Sequence, residues 1–272
     1  MVLERLSLED YTIEIIDNPD ALDEEEKKSL VSACIPVARE GFKNDDITEN
    51  DIRIHAIEGT TGVYLKNKQG DIIGFGGSVS EIIQEKTVLH LKGTVLLPEY
   101  QGKGLYKIIT PLRVLRESEK IGEDFYVGTR TQNPKVFGFM SRKLDLFPKA
   151  SEQTPEEIRD IAEGYAKLVQ EKHSDFIPKE GIIFNRDTSV VKRAYGYVNK
   201  DGEEFGLCMY GKNIPQSDYD VINKFIERNL DLNNGDALIL LGKFDKERYL
   251  KVLESIIPTL DQERRLYMRF SL

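Results

Sequence analysis

The chain has 272 residues, of which 40% are hydrophobic, enough to bury one large core or two modest ones. A formal net charge of −9 excludes the basic footprint of a dedicated nucleic-acid binder. Two distant cysteines, Cys34 and Cys208, exclude a disulfide framework and a metal-ligand spacing. The opening "MVLERLSLEDYTIEIID" has no leader-like apolar core, and no apolar run reaches the roughly 20 residues of a membrane helix, so a soluble, cytoplasmic protein is expected.

In chain order, "YTIEIID" (Tyr11–Asp17) alternates as a strand does. Asp23–Phe42 reads as a helix with acids in its first turn, and Pro36 is expected to kink or split it. Thr61–Ile83 reads as two strands around the turn "KNKQGD". The cluster "GFGGS" (Gly74–Ser78) lies inside the second of them. It reads as a bulge or a place of close packing and not as a ligand loop. Another strand, "KTVLHLKGTVLLP", leads into "EYQGKG". A helix is then predicted from about Leu105 to Glu117, with Leu105, Ile108, Ile109 and Leu112 on one face and Pro111 bending it. Asp124–Arg130 reads as a strand, and Asn133–Leu144 as a helix with Asn as N-cap and Pro at its first position.

The composition changes near residue 150, which divides the chain into a first domain, 1–150, and an α/β extension, 151–272. The extension opens on the helical "TPEEIRDIAEGYAKLVQEKH". Strand-like "GIIFN", "VVKRAYGYVN" and "FGLCMYG" follow. A helix near Asp218–Arg228, the strand "DALILLG", the helix "DKERYLKVLESII" and a last "RLYMRFS" complete it.

The stretch "TVLLPEYQGKGLYKIIT" (Thr94–Thr110) carries the chemistry. A strand, a turn with two glycines and a helix present several backbone N–H groups at a helix N-terminus. Glycine removes the Cβ that would hold an anion away, and the helix dipole favours negative charge. The plain alternative is an ordinary left-handed turn that uses glycine twice. There is no G-x-x-x-x-G-K-[ST], and Lys107 stands where G-x-G-x-x-G requires a third glycine, so neither of the two commonest phosphate loops applies.

"PEYQGKGLYKII" resembles the signature of the GCN5-related N-acetyltransferases, Q/R-x-x-G-x-G/A, with Pro98, Gln101 and Gly104 in its places. "VGTRTQNPKVFGFMSRKL" is similar to that family's fifth strand and following helix, including Asn133 at the helix start. The resemblance covers Val88–Phe147 and extends back to Tyr11; beyond residue 150 it reaches only a subset of members with a C-terminal extension. It implies a mixed α/β, splayed-sheet acyl-CoA N-acyltransferase fold, with acetyl-CoA as co-substrate, an amine acceptor and no metal. The strand residues Thr94, Val95 and Leu96 would run beside the pantetheine arm. Gln101, Gly102, Lys103, Gly104, Leu105, Tyr106 and Lys107 would hold the pyrophosphate, with Asn133 opposite. Tyr106 departs from the family's Gly or Ala, which is tolerable if only its N–H is used.

Acetyl transfer to an amine requires a deprotonated amine, a donor for the oxyanion and a way for the thiolate to leave. Strand alternation puts Leu89, Leu91, Gly93, Val95 and Leu97 on a core face and Val88, His90, Lys92, Thr94 and Leu96 on a face expected to line a cleft. His90, eleven residues before Gln101, is where histone-acetylating members carry a catalytic glutamate, and is the candidate base; a strand histidine without a chemical duty is the alternative. Met140 stands where many members place an acidic tyrosine, leaving Tyr126 as the candidate acid. The histidines His55, His90 and His173 are scattered and suggest no metal. The expected function is transfer of an acetyl group to a primary amine by direct attack. The alternative is a CoA-binding or protein-interaction module that has lost catalysis.

Overall fold

The computed structural model describes residues 3–7, 10–45, 47–172, 174, 176–198, 202–210 and 214–256. In chain order the elements are β1 (Leu3–Ser7), β2 (Thr12–Asp17), α1 (Glu24–Phe42), α2 (Glu49–Ile52), β3 (Thr61–Lys66), β4 (Ile72–Ile83) and β5 (Lys86–Leu96). Then come α3 (Tyr106–Ile121), β6 (Tyr126–Thr131), α4 (Pro134–Lys143), α5 (Glu156–Lys172), β7 (Phe184–Asn185), β8 (Val190–Val191), β9 (Gly196–Val198) and β10 (Glu204–Gly206). The last are α6 (Asp220–Asn229), β11 (Ala237–Lys243) and α7 (Lys246–Ile256). The class is mixed α/β, as expected. The helix 245–257 and the strand 236–242 fall where the pattern put them, whereas "RLYMRFS" and His173 lie outside the described residues.

The described residues form two compact units. One draws on the described residues within 3–80, 91–125 and 245–256, the other on those within 81–90 and 126–244. The expected change of character at residue 150 therefore falls inside the second unit, between α4 and α5, and α7 belongs to the first.

In the first unit the strand order is β1-β2-β3-β4-β5, with antiparallel β1–β2, β2–β3 and β3–β4 pairs. Helix α1 starts at a capping box in which Asp23 and Glu26 exchange backbone bonds. Its apolar positions Val31, Cys34, Val37 and Ala38 pack on Tyr64, Phe75 and Val95. Each such burial stabilises by about 1.5–3 kcal/mol for a large side chain. Pro36 does not split α1, nor does Pro111 break α3. The carbonyls they leave without a donor belong to Ser32 and Lys107, both exposed residues, where water can serve instead. Helix α7 packs against α3. Four glycines allow close approach, as the "GFGGS" cluster suggested. A Cβ on Gly74 would meet Leu96 Cδ2 at 2.3 Å, one on Gly76 would meet Arg113 Nη1 at 2.8 Å, one on Gly77 would meet His55 O at 2.4 Å, and one on Gly41 would meet Val95 Cγ2 at 2.4 Å.

In the second unit the order is β5-β6-β11-β8-β7, with β5 and β6 parallel and the other pairs antiparallel. Strand β11, from the C-terminal part of the sequence, pairs with β6 over Leu238↔Thr131 to Lys243↔Tyr126. Its continuous apolar run is buried at every position but the last, the pattern of a strand covered on both faces. Ile158, Ile161, Ala162, Tyr165, Ala166 and Val169 of α5, at helical spacing, pack against Val88, Tyr126, Ile239 and Leu241. The hairpin β9–β10 forms a separate two-stranded sheet.

Candidate cofactor site

The turn between β5 and α3 is built from Pro98 to Tyr106. A single 3₁₀ turn, Pro98–Tyr100, follows the strand, and the Gln101 side chain reaches back so that Nε2 donates to Leu96 O at 2.9 Å and to Gly41 O at 3.4 Å. Gly102 and Gly104 have φ of +78° and +82°, the left-handed region that side chains with a Cβ resist. A Cβ at either would meet nothing within 4 Å. Glycine is thus required at both positions by the backbone and not by a neighbour, and the space above each is open.

The donors of this turn are unspent. Among the described residues, the N–H groups of Gly102, Lys103, Gly104 and Leu105 find no acceptor in the protein, whereas Lys107 N bonds inward, to Gly104 O at 2.9 Å. Helix α3 begins at Tyr106 with no side-chain cap at Leu105 and no acid in its first turn. Sixteen residues of aligned peptide dipoles end there, flanked by the exposed Lys103 and Lys107. Such an arrangement binds an anion with at least two negative oxygens better than it binds water. Lys103 Nζ lies 4.9 Å from the Tyr100 ring centre, and Tyr106 is partly buried, its phenol pushed up by that burial against the pull of Arg113. Thr94 is half-buried, Val95 and Leu96 are buried, and Gly93 is the exposed position of β5 beside them.

The expectation that one face of β5 is open has to be corrected. Val88, His90 and Lys92 are all buried along with Leu89 and Leu91. In the first unit Lys92 Nζ donates to Ile54 O at 2.6 Å, within a π-helical turn, Arg53–Ile57, that no sequence signal announced, and to O of Glu58, the residue that caps it. In the second unit His90 Nδ1 stands 2.5 Å from the Tyr165 hydroxyl. Tyr165 comes close because Gly128, the β6 partner of His90, has no Cβ; one there would lie 2.6 Å from Tyr165 Cζ. Burial pushes the Tyr165 phenol far up, with Arg130 pulling slightly the other way, so it stays protonated.

Tyr126 is buried in the second unit's core, and its hydroxyl donates to Glu157 Oε1 at 2.7 Å. Asn133 is the N-cap of α4, as its sequence position predicted: Oδ1 accepts from Lys135 N and Val136 N, and Nδ2 donates to Tyr210 Oη at 3.1 Å. Cys34 is buried, its thiol pushed up by loss of hydration, so it acts as a small apolar filler. Among the described residues no group of His, Cys, Asp and Glu could hold a metal ion, and no helix is long and apolar enough to cross a membrane. Sequence reasoning missed Arg113 and read His55 only as a scattered histidine. Arg113 sits on α3 with its guanidinium buried, and His55 Nδ1 would be 4.0 Å from a Cβ on Gly93.

No family model and no curated protein matches the chain. Solved structures do. A ribosomal-protein-S18-alanine N-acetyltransferase from Escherichia coli is 10% identical over 86% of this chain and 94% of its own, with a TM-score of 0.39. A GNAT-family N-acetyltransferase from Escherichia coli, in complex with CoA, is 16% identical over 51% of this chain and 68% of its own, TM-score 0.34. A fungal multi-domain β-N-acetylglucosaminidase with a GCN5-related glucosamine N-acetyltransferase region is 16% identical over 43% of this chain, TM-score 0.33, and this chain spans only 13% of its length. TM-scores below 0.5 give these likenesses no weight on substrate or activity. The parallel β5–β6 pair and the strand–turn–helix at β5 and α3 belong to a mixed α/β sheet, the class expected from the sequence.

Proposed function

We propose that the chain is a GCN5-related N-acetyltransferase that moves an acetyl group from acetyl-CoA to a primary amine. The observation that carries this is the turn at Gln101–Lys107: two glycines held in the left-handed region with open space above them, unspent amides, and an uncapped, acid-free helix N-terminus. A diphosphate is the anion that such a row of donors fits, through several charge-assisted bonds at once. In this reading Gly102, Lys103, Gly104, Leu105, Tyr106 and Lys107 bind the pyrophosphate. Gln101 fixes the turn to the end of β5, and Thr94, Val95 and Leu96 carry the arm. Asn133 acts in this reading as the cap of α4.

The amine attacks the thioester directly. Cys34 is buried as a protonated thiol and is no acyl carrier. His90 and Tyr126 were the candidate base and acid, but both are buried and tied to Tyr165 and Glu157. A group that exchanges protons with an incoming amine needs access, so the proposal gives both of them packing duties and leaves amine deprotonation to water. Two uncoupled cysteines favour a reducing compartment such as the cytoplasm.

The test is release of CoA thiol from acetyl-CoA with a panel of primary amines, including polyamines, aminoglycosides and N-terminal peptides. Turnover with at least one of them, lost in Gly104→Glu, is the expected result. Binding of acetyl-CoA without turnover across the panel would favour the non-catalytic CoA-binding module. Failure to bind acetyl-CoA at all would leave an interaction module.

A further inference from the structure

Arg113 is 1% exposed, yet no carboxylate lies among its partners. Nη1 donates to the carbonyl oxygens of Gly77 and Lys92, the latter at 3.3 Å. Nη2 donates to Thr94 Oγ1 at 2.7 Å, and Nε meets no acceptor. A guanidinium stripped of water and left without a counter-ion costs stability, and an ionisable group perturbed in this way is a candidate for a functional role. Burial pushes Arg113 down to about 10, which still leaves it a cation at neutral pH.

The sequence makes room for this arrangement. Gly76 on β4 stands under the guanidinium, and a Cβ there would meet Arg113 Nη1 at 2.8 Å and Thr94 Oγ1 at 2.9 Å. Thr94 Oγ1 accepts from Arg113 and from no other described residue, so its own proton is left to be donated away from the guanidinium. Thr94 is half-buried and stands next to Gly93, an exposed position of β5. The neighbouring cation, Lys92, is already committed to the carbonyls of Ile54 and Glu58.

We propose that the Thr94 hydroxyl, oriented by Arg113, is the donor that stabilises the CoA thiolate as it leaves, in place of the tyrosine acid that α4 lacks. The inference rests on the acetyl-CoA reading: an arm that starts at the 101–107 turn and runs back along Leu96 and Val95 brings its sulfur to Thr94. In the step, the amine lone pair forms the C–N bond and the C–S bond breaks, with its electron pair going to sulfur. Sulfur departs as a thiolate hydrogen-bonded by Thr94 Oγ–H, and the proton lost by nitrogen goes to water. No proton has to reach sulfur while the bonds change, which is why a dedicated acid is dispensable. Thr94 is then a catalytic residue and Arg113 a positioning residue behind it.

The experiment is an ultraviolet titration of the thiolate band of CoA bound to the full chain, which needs no acceptor. In the wild type the bound thiol should ionise at lower pH than free CoA. Thr94→Val and Arg113→Met should each move the midpoint back by about one pH unit, a tenfold change in the ionisation constant, while Thr94→Ser keeps it low. Calorimetry at pH 6, where the thiol is protonated, sets the CoA concentration that saturates each variant, so that every titration reads the bound thiol. Arg113→Met should also melt no lower than the wild type, since an apolar side chain replaces an uncompensated buried charge. If the bound thiol titrates like free CoA in the wild type, or both variants titrate like the wild type, the inference is overturned. Should Arg113→Met not fold, the Thr94→Val and Thr94→Ser pair decides alone. A wild type that binds no CoA overturns the acetyl-CoA reading first, and calorimetry shows this before any thiol is titrated.

Discussion

The β5–α3 turn of the first unit and the β5–β6–α5 core of the second hold the same kinds of residue to opposite ends. At the turn, polar groups are left unspent: amides without acceptors, beside glycines in conformations that other residues resist, and lysines in solvent. In the core, polar groups are buried and consumed: His90 by Tyr165, Tyr126 by Glu157, and the Arg130 guanidinium by Gln170 Oε1 at 2.9 Å and Ala194 O at 3.0 Å. A titratable side chain in a strand is therefore a poorer guide to chemistry here than a backbone group that has no partner. Unsatisfied donors are what a ligand can use.

Four variants sharpen or break that contrast. The largest effect is expected from Gly128→Val, which forces a side chain into the Tyr165 ring; thermal unfolding should show a loss of about 3 kcal/mol. Tyr165→Phe removes the hydroxyl at His90 and leaves a buried ring nitrogen short of one bond, for a loss of about 2 kcal/mol in urea unfolding. If His90 were instead the base, Tyr165→Phe would shift the acid limb of the pH–rate profile while stability changed little. The pair Lys103→Glu and Lys107→Glu, both on exposed side chains, should weaken acetyl-CoA binding about tenfold at low salt, or ~1.4 kcal/mol, and much less at 1 M salt. A double variant that binds as the wild type does would place the pyrophosphate elsewhere. Asn133→Ala should cost about 1 kcal/mol as a lost N-cap, with acetyl-CoA affinity unchanged. A drop in affinity there would return Asn133 to the cofactor.

Legibility in the sequence followed the range of the interactions. The strand, turn and α3 were readable because their signals are local: Pro98 ends the strand, two glycines mark the turn, and Leu105, Ile108, Ile109 and Leu112 repeat at helical spacing. The cap of α4 was readable for the same reason. The faces of β5 were not. Alternation announces burial on one side only, and this strand is covered on both, by groups that reach it from far along the chain: Tyr165 to His90, Ile54 and Glu58 to Lys92. The pairing of β11 with β6 joins residues more than a hundred positions apart and left no local trace. Arg113 went unread, because nothing in the spacing reveals that Gly76 opens a space for it.

The central claim is that the Gln101–Lys107 turn is a CoA pyrophosphate site, and calorimetric titration of the wild type and of Gly104→Glu with acetyl-CoA tests it most directly. The account predicts one-to-one binding by the wild type and at least a hundredfold loss, ~2.7 kcal/mol, in the variant, whose side chain and charge enter the open space above Gly104. Circular dichroism should show that the variant is folded. Equal binding by the two proteins, or none by the wild type, would contradict it.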